Sequence, residues 1–203
     1  MGCHSWFYVH LPERKDELEK DFLTSHIETA KWWYDYCLES PADEWDEGCD
    51  KDSVDYWKSK SLEEHYLNLS WPKDTINEEY EYALAETPEQ RREVSLKYAK
   101  LKYEKCLSST DLEEINRVVS MTEYIVVNGK VYIDCTNEAL TKKYGVDLMH
   151  DMFRIHDYSA NSCSSVEDVL NRCAAHNVIL SQQEREGVVL WFEKYPDTII
   201  RFA

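Results

Sequence analysis

The sequence predicts an α+β fold: a helix-rich single domain with a small sheet of three to four strands. Three observations predict it. Much of the first half repeats apolar residues at steps of three and four, the period of a helix with one buried face. Two β-rich runs flank Asn128-Gly129, a pair with easy access to positive φ and so suited to a type I′ hairpin turn. Aromatic and β-branched runs also stand at both ends of the chain, and such strands hold only by pairing with others.

Taken in order, Ser5-Trp6-Phe7-Tyr8-Val9-His10-Leu11 reads as the first strand, ended by Pro12. A helix follows over about residues 13–38, with Leu18, Phe22, His26, Ile27, Ala30, Trp33, Tyr34 and Cys37 along one face. Residues 39–52 break that period with Pro41, Gly48 and a cluster of carboxylates, so they read as a loop. Ser53 is placed to cap a second helix reaching about Leu69, which Trp71-Pro72 stops. A shorter helix covers about residues 76–85. Thr87-Pro88-Glu89-Gln90 combines a capping box with a proline at the first helical position, opening a helix to about Leu107. Thr110-Asp111-Leu112-Glu113 reads as another box, opening a helix through Val119.

The texture then changes. Tyr124 to Val127 and Lys130 to Cys135 are the hairpin strands, followed by a short helix over about residues 137–144 that Gly145 closes. Ser164-Ser165-Val166-Glu167 opens a helix to about His176, and Ser181-Gln182-Gln183-Glu184 opens the last, to about Lys194. Tyr195-Pro196-Asp197 turns the chain into a final strand, Thr198 to Phe202. Residues 1–203 are expected to form one acidic domain, helical in its first half (about 12–120) and mixed in its second (about 121–203).

Charge bounds the partners. Forty acidic residues against 23 basic ones leave a net charge of −17, and residues 1–50 alone hold 13 acids and 4 bases. Affinity for nucleic acid and anionic membranes comes largely from Lys and Arg, so neither is an expected partner. A field of this sign favours partners with a basic surface and speeds their encounter. The seven cysteines are odd in number and widely spaced, and no secretory signal opens the chain; reduced thiols in a cytosol are the expectation.

Chemistry is sparse. The chain has no Gly-x-Ser-x-Gly elbow, Gly-rich phosphate loop or His-Glu-x-x-His, and neither a catalytic residue nor a cofactor is expected. A zinc site could draw on Cys3, His10, Cys37 and Cys49, since thiolates and imidazoles bind zinc tetrahedrally, but the usual closely spaced cysteine pairs are missing. His150-Asp151 and His156-Asp157 offer a second metal set, for a metal-dependent hydrolase. Their spacing of six places the two pairs at different azimuths of a helix.

The strongest interaction signal is Asp43-Glu44-Trp45-Asp46-Glu47, with Asp50 just beyond. One tryptophan among carboxylates is the composition of an anchor with a charged rim that selects basic partners. The alternative is a solvated loop whose Trp45 tucks back onto the helices.

The opening Met1-Gly2-Cys3-His4-Ser5-Trp6-Phe7 and the closing Phe192-Glu193-Lys194-Tyr195-Pro196-Asp197-Thr198-Ile199-Ile200-Arg201-Phe202 resemble small uncharacterised proteins of tailed bacteriophages and related mobile elements, and the stretch from His150 to Tyr158 adds to the likeness. The resemblance implies an accessory protein of phage origin, acting in a bacterial cytoplasm by binding a host protein, and transfers no catalytic residue.

Overall fold

The computed structural model describes residues 5–45, 50–149 and 162–202. The chain is helix-rich with one small antiparallel sheet, an α+β protein. It divides into two compact units, Met1–Thr24 with Thr110–Ala203, and Ser25–Ser109.

The first unit holds the sheet. Its strands are β1 (Ser5–Val9), β2 (Tyr124–Val127), β3 (Lys130–Asp134), β4 (Ser162–Cys163) and β5 (Thr198–Phe202), in the order β2-β3-β1-β5-β4. Every adjacent pair is antiparallel: Tyr8 sits opposite Asp134, Phe7 opposite Ile200, Tyr124 opposite Ile133 and Cys163 opposite Ile200. Between β2 and β3, Asn128 (φ 51°) and Gly129 (φ 71°) take the left-handed conformation. Strand alternation sorts the side chains onto two faces. Phe7 meets Trp191 edge to face, with ring centroids 5.8 Å apart. Tyr8, Ile125, Tyr132 and Ile199 form a buried cluster, with Trp6 and Val127 packed against it. The two-residue β4 is too short to carry a sequence signal of its own.

Four helices of this unit are α6 (Leu112–Val118), α7 (Glu138–Tyr144), α8 (Val166–Ala175) and α9 (Gln182–Lys194). Gly145 closes α7 at φ 69°, a conformation only glycine enters without a steric penalty. Ser181 and Glu184 form the expected capping box of α9. At α6 the expected box is replaced: Asp111, not Thr110, is the cap, and its carboxylate accepts from the N–H groups of both Glu113 and Glu114. A carboxylate can accept from two orphan donors at once, which a hydroxyl does less well. The helix α1 (Lys15–Glu39) begins in this unit, after a 3-10 turn over Pro12–Arg14.

The second unit is helical. It comprises the rest of α1, a 3-10 turn over Ala42–Trp45, and α2 (Lys51–Lys58), α3 (Leu62–Asn68), α4 (Lys73–Leu84) and α5 (Pro88–Ser108). Where one helix was expected from Ser53 to Leu69, the chain forms two. Ser61 and Glu64 make a full capping box, so a helix starts afresh at Leu62. Asp50, rather than Ser53, caps α2. One core cluster gathers Cys37, Trp45 and Ala99, and a second gathers Trp57, Ile76 and Ala83. Lys97 bridges to Glu81 and Lys102 to Glu78, tying α5 to α4.

Among the described residues no helix is long and apolar enough to cross a membrane. The five described cysteines, Cys37, Cys106, Cys135, Cys163 and Cys173, are buried and outside any disulfide. Burial pushes the Cys37 thiol up to about 11 and raises Cys106 and Cys173 as well, which keeps these sulfurs in the unreactive thiol form.

Candidate functional site

The second unit carries an aromatic face whose geometry follows from helix periodicity. On α1, Trp32 and Trp33 are adjacent and therefore about 100° apart, so one buried stripe cannot take both. Trp33 packs against the Cys37 core cluster, while Trp32 is left 63% exposed. Tyr36, one turn beyond Trp32, stacks on it with centroids 5.8 Å apart and planes 17° apart. Tyr36 also stacks on Trp33 at 5.4 Å. Trp45 closes the series from below, 6.2 Å from Trp33 and 6.1 Å from Tyr36. Four rings thus form a continuous ladder from a buried base to an exposed tip.

Trp45 is that base, not the tip. The 3-10 turn folds its indole onto α1, where it is only 8% exposed. Arg91 holds the turn by donating from Nη1 to the Trp45 carbonyl at 2.9 Å. The expectation of Trp45 as a surface anchor is therefore corrected: burying an indole against Trp33, Cys37 and Ala99 removes more apolar area from water than a solvated loop would. The burial is imperfect, because the indole Nε1–H meets no acceptor.

The acids around it divide by role. Asp43 and Glu44 are exposed, and Glu44 accepts the Tyr36 hydroxyl at 3.1 Å, which steadies the ring beneath Trp32. Asp50 is exposed but committed to α2: it accepts from the Ser53 backbone at 3.0 Å and the Ser53 hydroxyl at 2.8 Å, and these bonds hold its carboxyl below the usual range. Asp46 and Glu47 lie outside the described residues.

The metal expectations divide in the same way. Cys3, Cys49, His150, Asp151, His156 and Asp157 all lie outside the described residues. His10 is buried in the first unit, its Nδ1 donating to the Val131 carbonyl at 2.8 Å, and Cys37 belongs to the core of the second. Among the described residues no group of three His, Cys, Asp or Glu side chains is arranged to hold a metal ion.

Other polar clusters are structural. Asp134 is buried at the end of β3, which raises its carboxyl above the ordinary value, and the Thr136 N–H and hydroxyl satisfy it. In Asp21, burial opposes the charge, but hydrogen bonds from Lys143 and Tyr144 outweigh it and hold the carboxyl low. His65 is fully buried beside Trp57 and donates from Nε2 to the Trp57 carbonyl at 3.0 Å. A shallow cleft of about 450 Å³ between α4 and α5 is lined by Leu84, Ala85 and Val94, and its one cation, Lys97, is engaged by Glu81. None of these places a nucleophile beside a base.

Sequence reasoning missed Trp32, although the signal was present: Glu28, Trp32 and Tyr36 recur at steps of four, off the apolar stripe through Trp33 and Cys37. No protein-family model matches the chain, and no curated protein and no solved structure matches it either.

Proposed function

We propose that this is a binding protein: an acidic accessory factor, of phage origin and acting in a bacterial cytoplasm, that inhibits or redirects a host protein with a basic, nucleic-acid-facing surface. The observation that carries the reading is the exposed Trp32 at the tip of a ring ladder, within a stretch of strong negative charge. Residues 25–50 hold eight carboxylates and one lysine, and that lysine, Lys31, is paired with Asp35. A large aromatic anchor within a rim of like charge is what a hot spot for a basic partner requires. Asp43 and Glu44, with Asp46 and Glu47 next in the chain, supply the field, and Trp32 replaces Trp45 as the anchor.

Affinity capture from bacterial lysate, at about 0.05 M and about 0.5 M salt, tests this. The expected result is a basic protein retained at low salt and released at high salt. Exchanging Asp43, Glu44, Asp46 and Glu47 for Asn and Gln should lower the on-rate and flatten its salt dependence, whereas Trp32→Ala should raise the off-rate. Partners that ignore salt, or that bind Trp32→Ala as well as the native chain, would overturn the reading.

A further inference from the structure

We propose that the face around Trp32 selects arginine over lysine, stacking the open side of its indole on a guanidinium that the Glu28 carboxylate grips at the edge. This rests on the binding reading above and names the chemistry its anchor accepts. The occupant is an arginine-bearing segment of a basic protein.

Three features point there. First, the indole is exposed yet backed by other rings. Tyr36 stacks near-parallel on it, its hydroxyl bonded to Glu44, Trp33 lies tilted 6.1 Å away, and Trp32 remains 63% exposed. A planar guanidinium is weakly hydrated and stacks on such a surface, whereas an ammonium is a compact, strongly hydrated charge with no plane to match.

Second, Glu28 lies four residues before Trp32, hence on the same side of α1 and one turn away, and it is exposed. It forms no ion pair with any described residue, so its two oxygens are available to the parallel N–H groups of a guanidinium. Third, the field has the right sign: residues 25–50 hold eight carboxylates and one lysine, and the nearby Arg91 and Arg92 donate to the Trp45 and Leu38 carbonyls. Lys31 is held by Asp35, while Glu39 and Asp43 are exposed without a salt-bridge partner among the described residues. The charge complements a basic segment and opposes a second copy of this acidic chain.

The experiment uses the full chain and two labelled peptides of about ten residues, each with about four cationic side chains, arginine in one and lysine in the other, spaced by glycine and serine. Binding is followed by fluorescence anisotropy at low salt, and sedimentation of the protein alone reports self-association. The arginine peptide is expected to bind about fivefold tighter or better, with the advantage lost in Trp32→Leu and reduced in Glu28→Gln. Trp32→Leu keeps an apolar side chain at an exposed position, and its melting temperature verifies folding. Equal binding of both peptides overturns the arginine selectivity and leaves the acidic docking reading standing. An arginine advantage that survives in Trp32→Leu also overturns it, by moving the site elsewhere. Binding of neither peptide removes both readings. Self-association that Trp32→Leu abolishes would assign the face to a second copy instead.

Discussion

Truncating Trp45 to alanine removes an indole from between Trp33, Cys37 and Ala99 and leaves a cavity that helix packing can only partly close. The expected loss is about 3–5 kcal/mol, seen as a fall of roughly 10 °C in melting temperature for a chain of this size. Trp32→Ala, at an exposed position, should leave the melting temperature within about 2 °C of the native value. If the two variants melted alike, the assignment of base and tip along the ring ladder would be wrong. These two residues also mark where the sequence was legible. Trp32 stands off a helical stripe that the sequence draws clearly, so its exposure follows from periodicity alone. Trp45 follows Pro41 in a stretch with no period, and nothing local says which way a 3-10 turn will throw its last side chain. The decisive contacts, with Ala99 and the Arg91 guanidinium, are long-range.

At the scale of the element, the helix starts at Thr87 and Ser181 were legible from their capping boxes, whereas the equally intact box at Ser61 was passed over. Two signals competed there. Val54, Trp57, Leu62 and Tyr66 continue an apolar pattern across residues 59–61, yet the Ser61–Glu64 box restarts the helix because it satisfies orphan N–H groups that a continuous pattern ignores. The same boxes make a prediction about acid. Hydrogen bonds from Ser61, through its N–H and then its hydroxyl, hold the Glu64 carboxyl below its ordinary value, and those from Ser181 do the same for Glu184. A carboxyl lowered on folding contributes stability above its unfolded pKa and loses it as pH falls through the folded value. The urea midpoint should therefore drop on acidification from pH ~5 to pH ~3, and a Glu64→Gln/Glu184→Gln variant should show a shallower drop from a lower starting point. Ser61→Ala should cost about 1 kcal/mol at neutral pH. An acid profile unchanged in the double Gln variant would mean that these caps contribute nothing measurable.

For the molecule as a whole, a net charge of −17 is a standing repulsion that folding must overcome. Pairs along helix surfaces such as Lys15–Glu19 and Lys100–Glu104 are solvated and offset little of it, while Lys102–Glu78 is partly buried. Screening should then stabilise the fold: the melting temperature is expected to rise by a few degrees between about 0.01 M and about 0.15 M sodium chloride. A fall over that range would show that the attractive pairs outweigh the repulsion. The same screening should weaken capture of a basic partner, so stability and affinity are predicted to respond to salt with opposite sign. Composition made this level the easiest to read, since charge is a sum over residues and does not depend on where the chain folds. The division into two units was not visible, because it cuts through α1 and no change of composition marks it.

The pairing of β1 with β5 has a consequence for how the protein is made. Ser5 to Val9 lie along the strand Thr198–Phe202, so β1 takes one of its partners from residues synthesised long after it. During translation β1 must wait nearly two hundred residues for one of its two ladders. Residues 25–109, by contrast, are contiguous and have emerged in full long before β5 exists. The face proposed on α1 belongs to that early segment, which is complete while the aromatic side chains of β1 still lack their covering strand. A nascent chain in that state leaves one edge of β1 open to a chaperone or to aggregation until β5 pairs with it.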